Sequence, residues 1–163
     1  MDQFVQGFIN FFGGAPSEVI IFLVSLIPTL ELRGGMLAAG LLGVNMAKAF
    51  FICLIGTLLP VPFILLFFRK LMDWLKNTRF VKLVRKVEAK LAEKSKKIEK
   101  YKTFGLLVFV AVPLPGTGAW TGSMVAALMG MRFKHSMFSI AVGSAVADMI
   151  MCLISYGVLG QIW

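Results

Sequence analysis

From Met46 to Phe68 the chain runs for 23 residues with a single charge, Lys48, near its start. At ~1.5 Å per residue, a helix of that length crosses a hydrocarbon core ~30 Å thick. Ser136 to Leu159 is a second full-length run, with Asp148 near its middle. Two other apolar stretches are broken at mid-length by polar, glycine-rich turns. Pro28-Thr29-Leu30-Glu31-Leu32-Arg33-Gly34-Gly35 interrupts the first, and Pro113-Leu114-Pro115-Gly116-Thr117-Gly118-Ala119-Trp120-Thr121-Gly122 the second. Polar backbone at such a depth is tolerated in a membrane only where it is buried in protein or lines a watery cavity. The paired interruptions therefore point to a binding site.

Hydrophobic residues fill 58% of the 163 positions, including 15 Phe and 10 Met, which is the composition of an integral membrane protein. Charge is concentrated in one place. From Arg69 to Lys102 lie 13 of the 17 basic and 4 of the 8 acidic residues, so this block carries the whole net charge of +9. In a soluble protein such a charge would raise nucleic-acid binding as a candidate. Between hydrophobic segments it reads instead as a cytoplasmic loop obeying the positive-inside rule, and no nucleic-acid partner is expected. Met1 to Gly14 has no basic residue before its apolar part, which argues against a cleaved secretory signal. Cys53 and Cys152 lie in apolar runs without metal-ligand spacing, so both read as small hydrophobes and no cofactor or metal is expected.

In the long run, Pro60 and Pro62 remove helix hydrogen bonds and predict a kink. The arms of the broken segments, Ser17 to Leu30 with Met36 to Val44 and Thr103 to Leu114 with Ala119 to Met131, are too short to span singly. Each pair is either one broken spanning helix or a re-entrant hairpin. If Thr103 to Met131 is re-entrant, Arg132, Lys134 and His135 return to the cytoplasm, as the positive-inside rule prefers. The same reading of both halves gives an inverted repeat, an architecture of transporters that bind substrate near the midplane.

The sequence carries an internal echo. Gly34-Gly35-Met36-Leu37-Ala38-Ala39 parallels Gly122-Ser123-Met124-Val125-Ala126-Ala127, and after a one-residue gap Gly43 matches Gly130, Phe51 matches Phe138, and Gly56-Thr57 matches Gly143-Ser144. The expected fold is an all-α integral membrane protein: a repeat over 17–68, a basic cytoplasmic helical linker over 69–102, and a second repeat over 103–159. In the linker Phe80, Val84, Val87, Leu91, Ile98 and Tyr101 form an apolar stripe that Lys94 and Ser95 interrupt. Its lysine-rich face suits an interfacial helix on anionic lipid, an arm packed on a partner, or a solvated linker.

Glu31 and Arg33 at membrane depth cost roughly 2.5–3.5 kcal/mol each unless paired or solvated. Arg33 reads as a ligand for an anionic group and Glu31 as a proton or cation carrier, or both hold free helix-end groups. Asp148 reads as a proton-relay or ion site, or as a partner for the broken backbone of a neighbouring hairpin. Lys48 and Arg132 sit at segment ends, where they snorkel to the interface. In the second break Gly116, Gly118 and Gly122 supply backbone freedom and donors, Thr117 and Thr121 supply hydroxyls, and Trp120 offers a ring for stacking or packing. Gly34 and Gly35 read as the matching donors of the first break. A helix restarting at about Ala119 would aim its positive end into the cavity and favour carboxylate or phosphate. No enzyme constellation appears: His135 is alone at a segment end, and no P-loop or Gly-x-Ser-x-Gly motif occurs.

The Glu31-Leu32-Arg33-Gly34 turn, the basic middle and the run from Pro113 to Gly122 together resemble the family of small multidrug export proteins across nearly the whole chain. That resemblance implies a prokaryotic cell-membrane transporter. The family in turn is similar to the DedA membrane proteins, which pair two re-entrant hairpins with spanning helices and include translocases of polyprenyl-phosphate lipids. DedA proteins carry arginines around the proline of the second hairpin, whereas here no Lys or Arg occurs between Lys102 and Arg132. The expected function is a secondary transporter, driven by an ion gradient or passive, that takes a small molecule or a lipid. The alternative from another class is a membrane scaffold whose basic arm recruits lipid or protein. With so few spanning helices, a homodimer is expected.

Overall fold

The computed structural model describes residues 10, 14–76, 81–99, 102–114 and 116–159. Phe80, Tyr101, Pro115 and nearly all of the N-terminal stretch before Gly14 fall outside the described residues. Eight helices follow in order among those from residue 14 onward: α1 (Ser17–Leu26), α2 (Glu31–Leu41), α3 (Met46–Leu58), α4 (Val61–Lys76), α5 (Val81–Glu99), α6 (Lys102–Ala111), α7 (Ala119–Leu128) and α8 (Phe133–Leu159).

Two helical stretches are long and apolar enough to cross a membrane, Met46–Leu75 with 30 residues and Phe133–Gly157 with 25. The first contains α3 and α4. Leu59 keeps helical angles between them, and the hydrogen bonds Leu59 N–H to Ile55 O and Ile64 N–H to Pro60 O carry the path past the prolines. Pro60 and Pro62 thus interrupt the ladder where expected, between α3 and α4. Phe51, Phe63 and Phe67 on this stretch and Phe138, Met149 and Leu153 on α8 are all more than half exposed. Such a surface is costly in water and at home in lipid.

The chain divides into two compact units, Met1–Leu59 with Ala145–Trp163, and Pro60–Ser144. Neither is a linear half. The first unit gathers α1, α2, α3 and the C-terminal half of α8; the second gathers α4, α5, α6, α7 and the N-terminal half of α8. In each, the two short helices of a broken segment fold back on one another. A Cβ on Gly35 would lie 1.9 Å from Ser25 Oγ and 2.9 Å from Cys53 Sγ, so glycine is what lets α2 approach α1 and α3. A Cβ on Gly122 would lie 2.7 Å from Val110 Cγ2, which draws α7 against α6 in the same way. In lipid there is little hydrophobic drive between helices, and close approach at small residues takes its place.

Several local contacts recur in both units. Gly43 has φ +65° and Gly130 φ +64°, the left-handed residue that closes a helix C-terminus. Val44 N–H donates to Ala39 O and Met131 N–H to Ala126 O, both at 3.0 Å. A Cβ on Gly56 would meet Phe22 O and Ser25 Cβ, and one on Gly143 would meet Leu107 O and Val110 Cβ. From Gly35 and Gly122 onward these equivalent positions stand 87 residues apart throughout, whereas in the incoming helices they stand 85 apart. By these contacts Gly35, rather than the Gly34 of the sequence comparison, lines up with Gly122 without the one-residue gap, and the extra length falls in the second break.

Two further corrections concern local structure. Helix α2 begins at Glu31 rather than near Met36, so Glu31 and Arg33 stand in its first turn. Gly34, Gly35 and Gly122 are helical, with Gly34 N–H bonded to Leu30 O and Gly122 N–H to Gly118 O, so they serve packing and are not free donors. The basic linker is docked: Val84 and Leu91 are buried, and α5 packs on α6 and α7 while Arg85, Lys86 and Lys90 stay exposed.

Candidate functional site

In the first unit the core joins Ile21, Leu32, Met36, Ala39, Cys53, Ala147, Met151 and Cys152. Leu32 sits in it between Glu31 and Arg33. Glu31 is only 5% exposed and has φ +47°, the single non-glycine residue at positive φ among those described. An L-residue in that region costs about 1–2 kcal/mol, which glycine would avoid. Glycine would relieve that strain, so a glutamate held there points to a use for its side chain. Arg33, two residues on, is half-buried and interacts electrostatically with Glu31.

Asp148 lies on the part of α8 that belongs to this unit, between Ala147 and Met151 of the same core. It is fully buried. Neither carboxylate oxygen has a hydrogen-bond partner among the described residues. Its electrostatic neighbours are the thiols of Cys53 and Cys152, and the Cys53 thiol is hydrogen-bonded to Ser25. The α8 face below it is anchored by polar groups that are satisfied: Ser155 Oγ donates to Met36 O at 2.9 Å and Tyr156 OH to Val44 O at 2.6 Å. Asp148 is therefore an exception within a helix whose neighbouring polar side chains in this unit are paired. A buried carboxylate without partners is uncharged or waits for a cation, because an isolated ionised carboxylate is prohibitively costly in an apolar medium.

The second unit holds Thr117, Trp120 and Thr121. Thr117 Oγ1 lies 2.8 Å from both Val112 O and Leu114 O, so the hydroxyl closes the turn at the end of α6. Helix α7 restarts at Ala119, as expected, with Gly118 as its cap and no side-chain cap bond. Trp120 and Thr121 are half-buried in its first turn. Buried Ser136 and Ser144 have hydroxyls without a hydrogen bond among the described residues.

Sequence reasoning missed Lys94. Its ammonium donates to the carbonyl of Gly116 at the tip of the second break. The signal was present in the sequence, because Lys94 falls where the apolar stripe of α5 demands a hydrophobe. A side chain on that buried face reaches the hairpin, and the cation absent from 103–131 comes from the linker.

A helical membrane protein whose broken segments fold into paired short helices, with a buried carboxylate unpaired among the described residues on a spanning-length helix, is the class that this architecture defines. The profile of a family described as "putative small multi-drug export protein" matches residues 31–150. The chain belongs to that family. No match to a curated protein or to a solved structure is found.

Proposed function

We propose that the protein exports small amphipathic molecules across a prokaryotic cell membrane, with Asp148 as the group that couples movement to a proton or another cation. The observation that carries this reading is the fully buried Asp148 carboxylate, without a hydrogen bond among the described residues, on a helix of spanning length. Glu31 and Arg33, beside the same core, serve the charged end of the substrate or the coupling ion. The two broken segments act as re-entrant hairpins of an inverted repeat, with the Arg69 to Lys102 block on the cytoplasmic side and a homodimer as the working unit. The family description and the recurrent contacts of the two units support this arrangement. Gradient-driven flux in proteoliposomes tests it. Asp148→Asn is expected to fold and to abolish flux, and Glu31→Gln and Arg33→Ala to reduce it. Equal flux in wild type and Asp148→Asn sinks the coupling role. No flux for any compound, ion or lipid favours a scaffold.

A second reading, translocation of a polyprenyl-phosphate lipid in the manner of DedA proteins, is favoured by one observation. Lys94 stands at the tip of the second break, two residues before the cap of α7. In this reading Lys94 and the α7 N-terminus hold the phosphate. Lys94→Gln would then abolish flipping of a polyprenyl-phosphate probe while leaving small-molecule export unchanged.

A further inference from the structure

The wall of the first unit is hollowed between α3 and α8. The groove measures about 480 Å³ and is lined by Asn45, Met46, Phe50, Phe51, Met149 and Leu153, with buried Cys152 also lining it. That volume falls within the range of small-molecule sites. Its surface is almost wholly apolar. Met46, Phe51, Met149 and Leu153 are all exposed, on the two helices long enough to cross a membrane. A molecule dissolved in the bilayer would reach the groove sideways, without entering water.

The charge that such a molecule needs is set by what lies beside the groove. Asp148 is fully buried behind the groove wall rather than on it; it precedes Met149 of the rim and stands one helical turn before Cys152, which lines the groove and with which it interacts electrostatically. It has no hydrogen bond among the described residues. An apolar groove flanked by an uncompensated buried carboxylate is complementary to a cation with a large apolar body. An anionic body would gain nothing from the protonated group and would repel the ionised one, and a neutral body would leave the proton in place; only a cation stabilises the ionised carboxylate.

We infer that the groove between α3 and α8 binds lipophilic cations, with the apolar body against Met46, Phe51, Met149 and Leu153 and the charge neutralised by Asp148. This rests on the export reading above and names its substrate class. Proton and cation then compete for one carboxylate, so loading the substrate releases the proton, and the exchange balances charge without any covalent step.

The test uses two probes of nearly equal size and opposite charge, tetraphenylphosphonium and tetraphenylborate, in equilibrium dialysis against the full chain in nanodiscs, with empty nanodiscs subtracted. Wild type is expected to bind the phosphonium at least tenfold more tightly than the borate. Asp148→Asn should erase that preference, and Leu153→Trp, which fills the groove, should weaken binding of both. Equal affinity for the two probes overturns the inference, as does phosphonium binding that survives Asp148→Asn. If Asp148→Asn fails to fold, Leu153→Trp decides: unchanged phosphonium binding removes the groove as the site. Failure of the inference is distinguishable from failure of the export reading. Gradient-driven flux of neutral or anionic compounds without phosphonium binding sinks only the former, whereas selective phosphonium binding without flux of any compound sinks the latter.

Discussion

Gly143→Ala measures how closely α6 and α8 approach within the second unit. An added Cβ would stand 2.7 Å from the carbonyl oxygen of Leu107, 2.9 Å from Val110 Cβ and 3.2 Å from Val110 Cγ1. A comfortable carbon-to-oxygen contact is about 3.3–3.6 Å, and the oxygen belongs to backbone, so one helix must move by roughly half an ångström or more. Overpacking of this kind costs about 1–3 kcal/mol. Alanine recovers at most about 1 kcal/mol through its better helix propensity. The net expectation is a loss of about 1–2 kcal/mol, or a fall in Tm of about 2–8 °C for a chain of this size.

Gly35→Ala provides the contrast, because its worst neighbour is a side-chain atom, Ser25 Oγ at 1.9 Å. Rotating that hydroxyl away breaks its 2.7 Å bond to Ile21 O. Ser25→Ala removes the nearest obstacle and leaves Cys53 Sγ at 2.9 Å and Ile21 O at 3.2 Å, so the double variant Ser25→Ala/Gly35→Ala should regain part of the loss, with a coupling of about 1 kcal/mol in a double-mutant cycle. The same truncation should do nothing for Gly143→Ala. The assay is thermal unfolding in detergent micelles with retention of the monodisperse peak as the readout. A Gly143→Ala protein as stable as wild type would refute the close crossing, and with it the equivalence of Gly56 and Gly143.

Tyr156→Phe should lower stability by about 1 kcal/mol, since it removes the 2.6 Å bond that holds Val44 O at the end of α2; an unchanged Tm in the same assay would count against it. Thr117→Val should destabilise by about 1 kcal/mol through loss of the bonds to Val112 O and Leu114 O, while Thr117→Ser stays within about 0.5 kcal/mol of wild type in the same unfolding series. If Thr117→Ser is as damaged as Thr117→Val, the methyl group rather than the hydroxyl holds the turn.

Much of the architecture was legible because a membrane imposes one-dimensional rules. Residues 46–68 were readable as a crossing from length and charge alone, and Pro113 with Gly116 and Gly118 marked the second break to within a few residues. The first break is less legible. Gly34 and Gly35 look like turn residues by composition, yet they lie within α2, because their lack of a side chain is used by Ser25, Val24 and Cys53 from other segments. Local chemistry cannot tell a glycine chosen for its backbone from one chosen for its neighbour.

The sequence by itself determined that this is a helical membrane protein with two interrupted segments, a basic middle and one charge deep in its last helix. These follow from hydrocarbon as solvent, which acts on each segment independently. Only the tertiary structure decided that Asp148 is buried without a hydrogen-bond partner among the described residues, that Glu31 is held at positive φ, that Lys94 reaches Gly116, and that Gly35 rather than Gly34 lines up with Gly122. Each of these is a relation between residues distant in sequence. Pairing and close approach depend on which groups the fold brings within a few ångströms, and no local pattern encodes that distance.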